Sequence, residues 1–133
     1  MAESVGGIID TSIFIGLEQG RPMRSTSLTG GWAVSVVTLA ELRLAVLNAR
    51  DTADAAMHLL TLEKAERRRS IPIDETIAFH WAVLRSAARS LSQSRANDLW
   101  IAATALALRV PVITQDEGFA RLEQVGGPQV ILV

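Results

Sequence analysis

The chain has no cysteine. Disulfides, thiolate zinc sites and thiol nucleophiles are therefore excluded. Lysine is almost as scarce, with Lys64 the only one. There are two histidines, His58 and His80. Neither has a nucleophile motif nearby, so serine-hydrolase chemistry lacks its base, and a lone histidine on one helix does not complete a metal pair. No GxxxxGK[ST] run exists, which removes a P-loop nucleotide site. No apolar stretch is long enough to span a membrane, and the first residues lack a signal-peptide pattern, so a cytoplasmic protein is expected. Charge of one sign is also missing: 13 Lys+Arg against 14 Asp+Glu leave a formal net charge of −1. Without a global basic field, nucleic-acid binding would rest on local arginines and on metal ions.

What the chain does have is apolar residues, 49% of 133. That suits one domain over residues 1–133 with one core, and it is rich enough that a partner is expected to cover some of the surface. Short β-branched runs read as buried strands at 5–9, 33–36, 110–114 and 129–133. Residues 70–73 read as a short edge strand, because Pro72 argues against a central position. Helices are expected at 13–18, 39–47, 53–69, 75–91, 96–109 and about 119–125, with 19–31 a loop. Strands alternating with helices imply a parallel sheet flanked by helices.

Against this apolar background a few acids stand out. Asp10 is the only acid between Glu3 and Glu18, and Glu41 the only one between Glu18 and Asp51. Asp98 is the only one between Glu75 and Asp116. Asp10 and Asp116 follow strands, whereas Glu41 and Asp98 lie near helix starts. In a parallel sheet those places converge on the carboxyl edge, where ligands bind. Each acid alone also reads as an ordinary helix cap or dipole partner. Together, clustered carboxylates repel one another unless cations bind. Oxygen-rich, histidine-free ligation points to Mg²⁺ or Mn²⁺, and phosphodiester hydrolysis is the chemistry that most often uses such a site.

Ile9-Asp10-Thr11-Ser12, Leu39-Ala40-Glu41-Leu42, Asn97-Asp98-Leu99-Trp100-Ile101-Ala102-Ala103-Thr104-Ala105 and Val112-Ile113-Thr114-Gln115-Asp116, with Phe119 nearby, resemble the PIN-domain ribonucleases. They are most similar to the VapC toxins of type II toxin–antitoxin modules. The resemblance implies a three-layer α/β/α sandwich with a central parallel sheet. It implies a metal-dependent endoribonuclease that forms a homodimer and is silenced by a VapB-like antitoxin whose tail enters the active-site groove. Asp10, Asp98 and Asp116 then match the metal-binding acids, and Glu41 the acid that places water or a second ion. Thr11, Ser12, Asn97 and Thr114 match supporting positions. Gly118 departs from the many relatives that carry a further acid there, which bears on a second metal. Arg43 and Arg95 are candidate RNA phosphate contacts, and the Arg67–Arg69 cluster is a weaker one.

Two rivals remain. Receiver or dehalogenase-like phosphotransfer sites also begin with an aspartate after the first strand. They normally need a lysine after a later strand, and Lys64 falls in an amphipathic helix instead; Ser12 also stands where the dehalogenase-like site has its second acid. The other rival is a catalytically inactive PIN fold that acts as a protein- or RNA-binding module.

Overall fold

The computed structural model describes residues 4–23, 31–89 and 96–133. Its elements run β1 (Gly7–Ile9), α1 (Thr11–Glu18), β2 (Trp32–Ser35), α2 (Val36–Leu47), α3 (Thr52–Glu66), β3 (Ser70–Ile71), α4 (Glu75–Ala87), α5 (Ala96–Leu108), β4 (Val112–Thr114), α6 (Glu117–Ala120), a 3-10 turn (Arg121–Val125) and β5 (Val130–Leu132). All five strands are parallel, in the order β3-β2-β1-β4-β5. The expected edge strand is indeed at an edge, and the strand ends at Pro72, which has no N–H to extend the ladder.

Side-chain alternation along three-residue strands divides the core in two. Ile8, Ala33 and Val112 face one side, where α4, α5 and α6 cover them with Ile77, Leu84, Leu99, Ile101 and Phe119. Their neighbours Ile9, Val34 and Ile113 face the other side, against Ile13 and Phe14 of α1, Leu42 of α2, and Leu62 and Ala65 of α3. A strand buried on both faces is apolar or has its polar groups bonded, and Gly7-Ile8-Ile9 and Val112-Ile113-Thr114 are buried throughout. The result is the expected α/β/α sandwich.

Several boundaries differ from the sequence expectation. β1 begins at Gly7 rather than Val5, because the ladder to β2 starts with Gly7 opposite Trp32. α2 begins at Val36 rather than Leu39: the Ser35 hydroxyl accepts from Val37 N–H at 3.0 Å and caps the helix there. Asp51 and Asp74 cap α3 and α4 in the same way.

Chain direction fixes where a site can form. From β1 the chain steps to β2 and β3 on one side, then returns past β1 to β4 and β5 on the other. The carboxyl ends of β1 and β4 therefore flank the crevice at which the winding reverses, the place where open α/β sheets bind ligands.

Candidate metal centre

Asp10 stands at that crevice, directly after β1. Its backbone is extended, as an N-cap requires, yet its side chain makes no capping bond to α1. Instead Asp10 Oδ2 accepts from Thr114 Oγ1, at the end of β4, at 2.7 Å. The Thr114 hydroxyl has one proton and gives it to Asp10. The 3.1 Å contact between Ser12 Oγ and Thr114 Oγ1 is then donated by Ser12. Ser12 Oγ in turn accepts from Gln115 N–H at 2.9 Å, and Thr114 Oγ1 accepts from Asp116 N–H at 2.9 Å. The crevice is thus stitched by a chain of hydroxyls that ends on a carboxylate. Asp10 is 3% exposed. Burial pushes its pKa up, while the hydroxyls of Ser12 and Thr114 and the main-chain N–H groups of Ser12 and Thr11 beside it pull it back in part. Among the described residues no cation pairs with it.

A second relay serves Glu41. Thr11 Oγ1 donates to Glu41 Oε1 at 2.7 Å, so the 2.9 Å contact between Thr11 and Thr38 is donated by Thr38. Thr11 opens α1 and Thr38 lies in α2, so this buried pair ties both helices to one carboxylate. Glu41 is half-buried at the sixth position of α2. Arg43 does not answer it: its guanidinium lies 3.8 Å from Glu66 of α3.

Asp116 follows β4 and caps α6, its Oδ1 accepting from Gly118 N–H at 2.9 Å. A Cβ at 118 would stand 3.1 Å from that same oxygen, so a side chain in place of Gly118 would crowd the cap. Asp98 is half-buried in the first turn of α5, which packs against β1, β2 and α2; Asn97 beside it is exposed. Arg95 lies outside the described residues. The structure thus joins Asp10, Thr114, Ser12 and Asp116 in one network and Glu41, Thr11 and Thr38 in a second that starts from the adjoining residue.

Among the described residues no three acidic or histidine side chains enclose a single point closely enough to be a finished metal cage. The donor chemistry nonetheless fits a hard divalent cation. The donors are oxygens only, and the most buried one has no cation of the protein's own beside it. Aimed hydroxyls hold two of the carboxylates in fixed orientation, as outer partners of a metal site do.

Sequence reasoning gave no role to Gly16, Gln115 or Arg21 at this edge. Gly16 of α1 is buried, and a Cβ there would overlap the Gln115 side-chain oxygen. Gln115 therefore passes over α1 at a glycine, reaches Pro22 O with its Nε2 at 3.1 Å and accepts from Arg21 at 3.4 Å. The one legible sign was a glycine inside an apolar helix, which often marks a close approach.

The family model described as PIN domain matches residues 8–125. The chain is 44% identical over 128 residues to Ribonuclease VapC5 of Mycobacterium tuberculosis, covering 96% of this chain and 95% of that one. It is 42% identical over 119 residues to Ribonuclease VapC4 of the same organism, covering 89% and 92%. The crystal structure of VapBC-5 from Mycobacterium tuberculosis, a member of the VapBC family of toxin–antitoxin systems, superposes with a TM-score of 0.84. The match has 39% identity and covers 97% of this chain and 99% of that chain.

Proposed function

This chain belongs to the PIN-domain family, among the VapC ribonucleases, and on that premise we propose that it is a metal-dependent endoribonuclease acting as the toxin of a toxin–antitoxin pair. The observation that carries the proposal is the pair of hydroxyl relays, Ser12–Thr114–Asp10 and Thr38–Thr11–Glu41. A buried aspartate with no cation beside it among the described residues is costly in the free protein. It makes sense where a divalent ion is to be received.

Asp10, Asp98 and Asp116 would hold Mg²⁺ or Mn²⁺. When bound, the ion supplies charge neutralisation at the scissile phosphate and a water of lowered pKa. The chain's own residues do the remaining work. Thr114 keeps Asp10 facing the crevice and, through Asp116 N–H, fixes the strand end that carries Asp116. Thr11 holds the Glu41 carboxylate, a base positioned to orient water. Burial keeps Asp10 a strong local acceptor, since a dry carboxylate gains more from a cation than a solvated one. The 2′-hydroxyl need not be the nucleophile, so preference for RNA would arise from groove shape and contacts. The proposed partners are an RNA substrate, a VapB-like antitoxin whose tail occupies the groove, and a second copy of the chain. The apolar side chains left exposed on α2 and α3, Leu44, Leu47 and Leu60 among them, are consistent with a covered face.

The test is cleavage of total cellular RNA by antitoxin-free protein with Mg²⁺ or Mn²⁺, with chelator, and with Asp10→Asn or Asp98→Asn. Metal-dependent cutting that either substitution abolishes, with the fold retained, is the expected result. Folded protein that cuts no RNA and gains no thermal stability from Mn²⁺ would instead establish a binding module.

A further inference from the structure

The geometry points to Arg21 as a phosphate-contacting residue for nucleic acid entering the crevice, held in place by Gln115; the inference rests on the ribonuclease reading. Arg21 lies just past α1, outside the acid network. Its Nη2 donates to Gln19 Oε1 at 2.7 Å and its Nη1 to Gln115 Oε1 at 3.4 Å. Both acceptors are neutral amides, so the guanidinium is anchored while no carboxylate among the described residues compensates its charge. Other arginines differ: Arg43 lies 3.8 Å from Glu66, and Arg50 lies 3.6 Å from Asp54. Three N–H donors of Arg21 remain for a ligand, in the planar fork that suits a phosphate.

The anchor is part of the site. Gln115 sits between Thr114, which donates to Asp10, and Asp116, and its own N–H is bound by Ser12. Its side chain crosses α1 where Gly16 leaves room and also holds Pro22 O. The crossing lies about 9 Å along the helix axis from Asp10, from a rise of about 1.5 Å per residue. A polyanion approaching a cluster of carboxylates is repelled, and a fixed cation beside the cluster offsets that repulsion and sets the path of the strand. Such an arrangement places substrate; it takes no part in bond breaking.

The experiment measures binding of a fluorescein-labelled single-stranded RNA by anisotropy across a salt series, with Mg²⁺ present, in the cleavage-silent Asp98→Asn background. Arg21→Gln is expected to weaken binding roughly threefold to tenfold at low salt and to flatten the log–log salt slope by about 0.7, the loss of one single-strand phosphate contact. Arg21→Lys restores the slope. Gly16→Ala keeps the charge but displaces the Gln115 amide, so it weakens binding with the slope retained. Unchanged affinity and slope for Arg21→Gln overturn the phosphate contact while leaving the ribonuclease reading intact. Wild-type affinity for Gly16→Ala overturns the role of the anchor. A background protein that binds no RNA at low salt, together with a parent protein that cuts none, overturns both readings.

Discussion

Asp10 shows at the scale of one residue how a general rule and a functional demand part company. An aspartate before a helix ordinarily caps it, and Asp51, Asp74 and Asp116 do so with bonds of 2.8, 2.9 and 2.9 Å. Asp10 has the cap backbone, yet its carboxylate makes no capping hydrogen bond and accepts from Thr114 instead. Its isolation among apolar residues was legible in the sequence, but its partner 104 residues later was not, because side-chain pairing across strands depends on register. Its raised pKa fixes the sign of a pH dependence. The folded state keeps its proton where the unfolded chain has already lost it, so folding takes up a proton in that interval. Metal-free stability therefore falls as pH rises from the ordinary aspartate value through the raised folded value, then levels off. Thermal melts against pH should show this decline in the parent protein and lack this component in Asp10→Asn.

The element scale carries another departure, at the end of α5. Arg109 adopts φ 58°, the left-handed conformation, and the helix closes with Arg109 N–H on Leu106 O at 3.1 Å and Val110 N–H on Ala105 O at 3.0 Å. This closing turn usually takes glycine. Arg109→Gly relieves the Cβ strain and loses some entropy in return, so a net gain of about 0.5–1 kcal/mol is expected, or roughly 2–4 °C in Tm by calorimetry. Helix existence was readable from apolar spacing for α1 to α5, whereas the helix expected at about 119–125 is a short α6 followed by a 3-10 turn; ends were less legible, and the cap at Ser35 moved the start of α2 three residues earlier than its apolar run alone implied. Between elements, His58 of α3 joins α1 to its neighbour. Its Nδ1 lies 2.6 Å from Glu18, out of line for a hydrogen bond, and its Nε2 lies 3.4 Å from Asp54. A histidine that looked solitary in sequence is a structural tie, and nothing in local spacing could have paired it with Glu18. Trp81 and Trp100, likewise packing residues, stack at 4.9 Å between α4 and α5.

For the whole molecule, the consecutive apolar residues Ile8/Ile9 and Val112/Ile113 were enough to imply a sheet covered on both faces, and the reversal of winding at β1 then placed Asp10 and Asp116 at one crevice. The Gln115–Gly16–Arg21 crossing stayed hidden, because it joins distant segments through polar atoms with no periodicity. Global stability should report the proposed metal centre: at a hundredfold excess over its Kd, Mn²⁺ stabilises by about 2.7 kcal/mol, roughly 10 °C for a domain of this size. Differential scanning fluorimetry should show that shift in the parent protein and little of it in Asp10→Asn. The central place of β1 has a further consequence for how such a chain is born. Asp10 leaves the ribosome early, but the hydroxyl that aims it belongs to residue 114, and at about 5–20 residues per second some 5 to 20 s of synthesis separate the two. The proposed cutting edge is thus assembled only once nearly all of the polypeptide has been made, so a nascent chain passes most of its synthesis without the clamp on Asp10, beside the RNA of the ribosome that is making it.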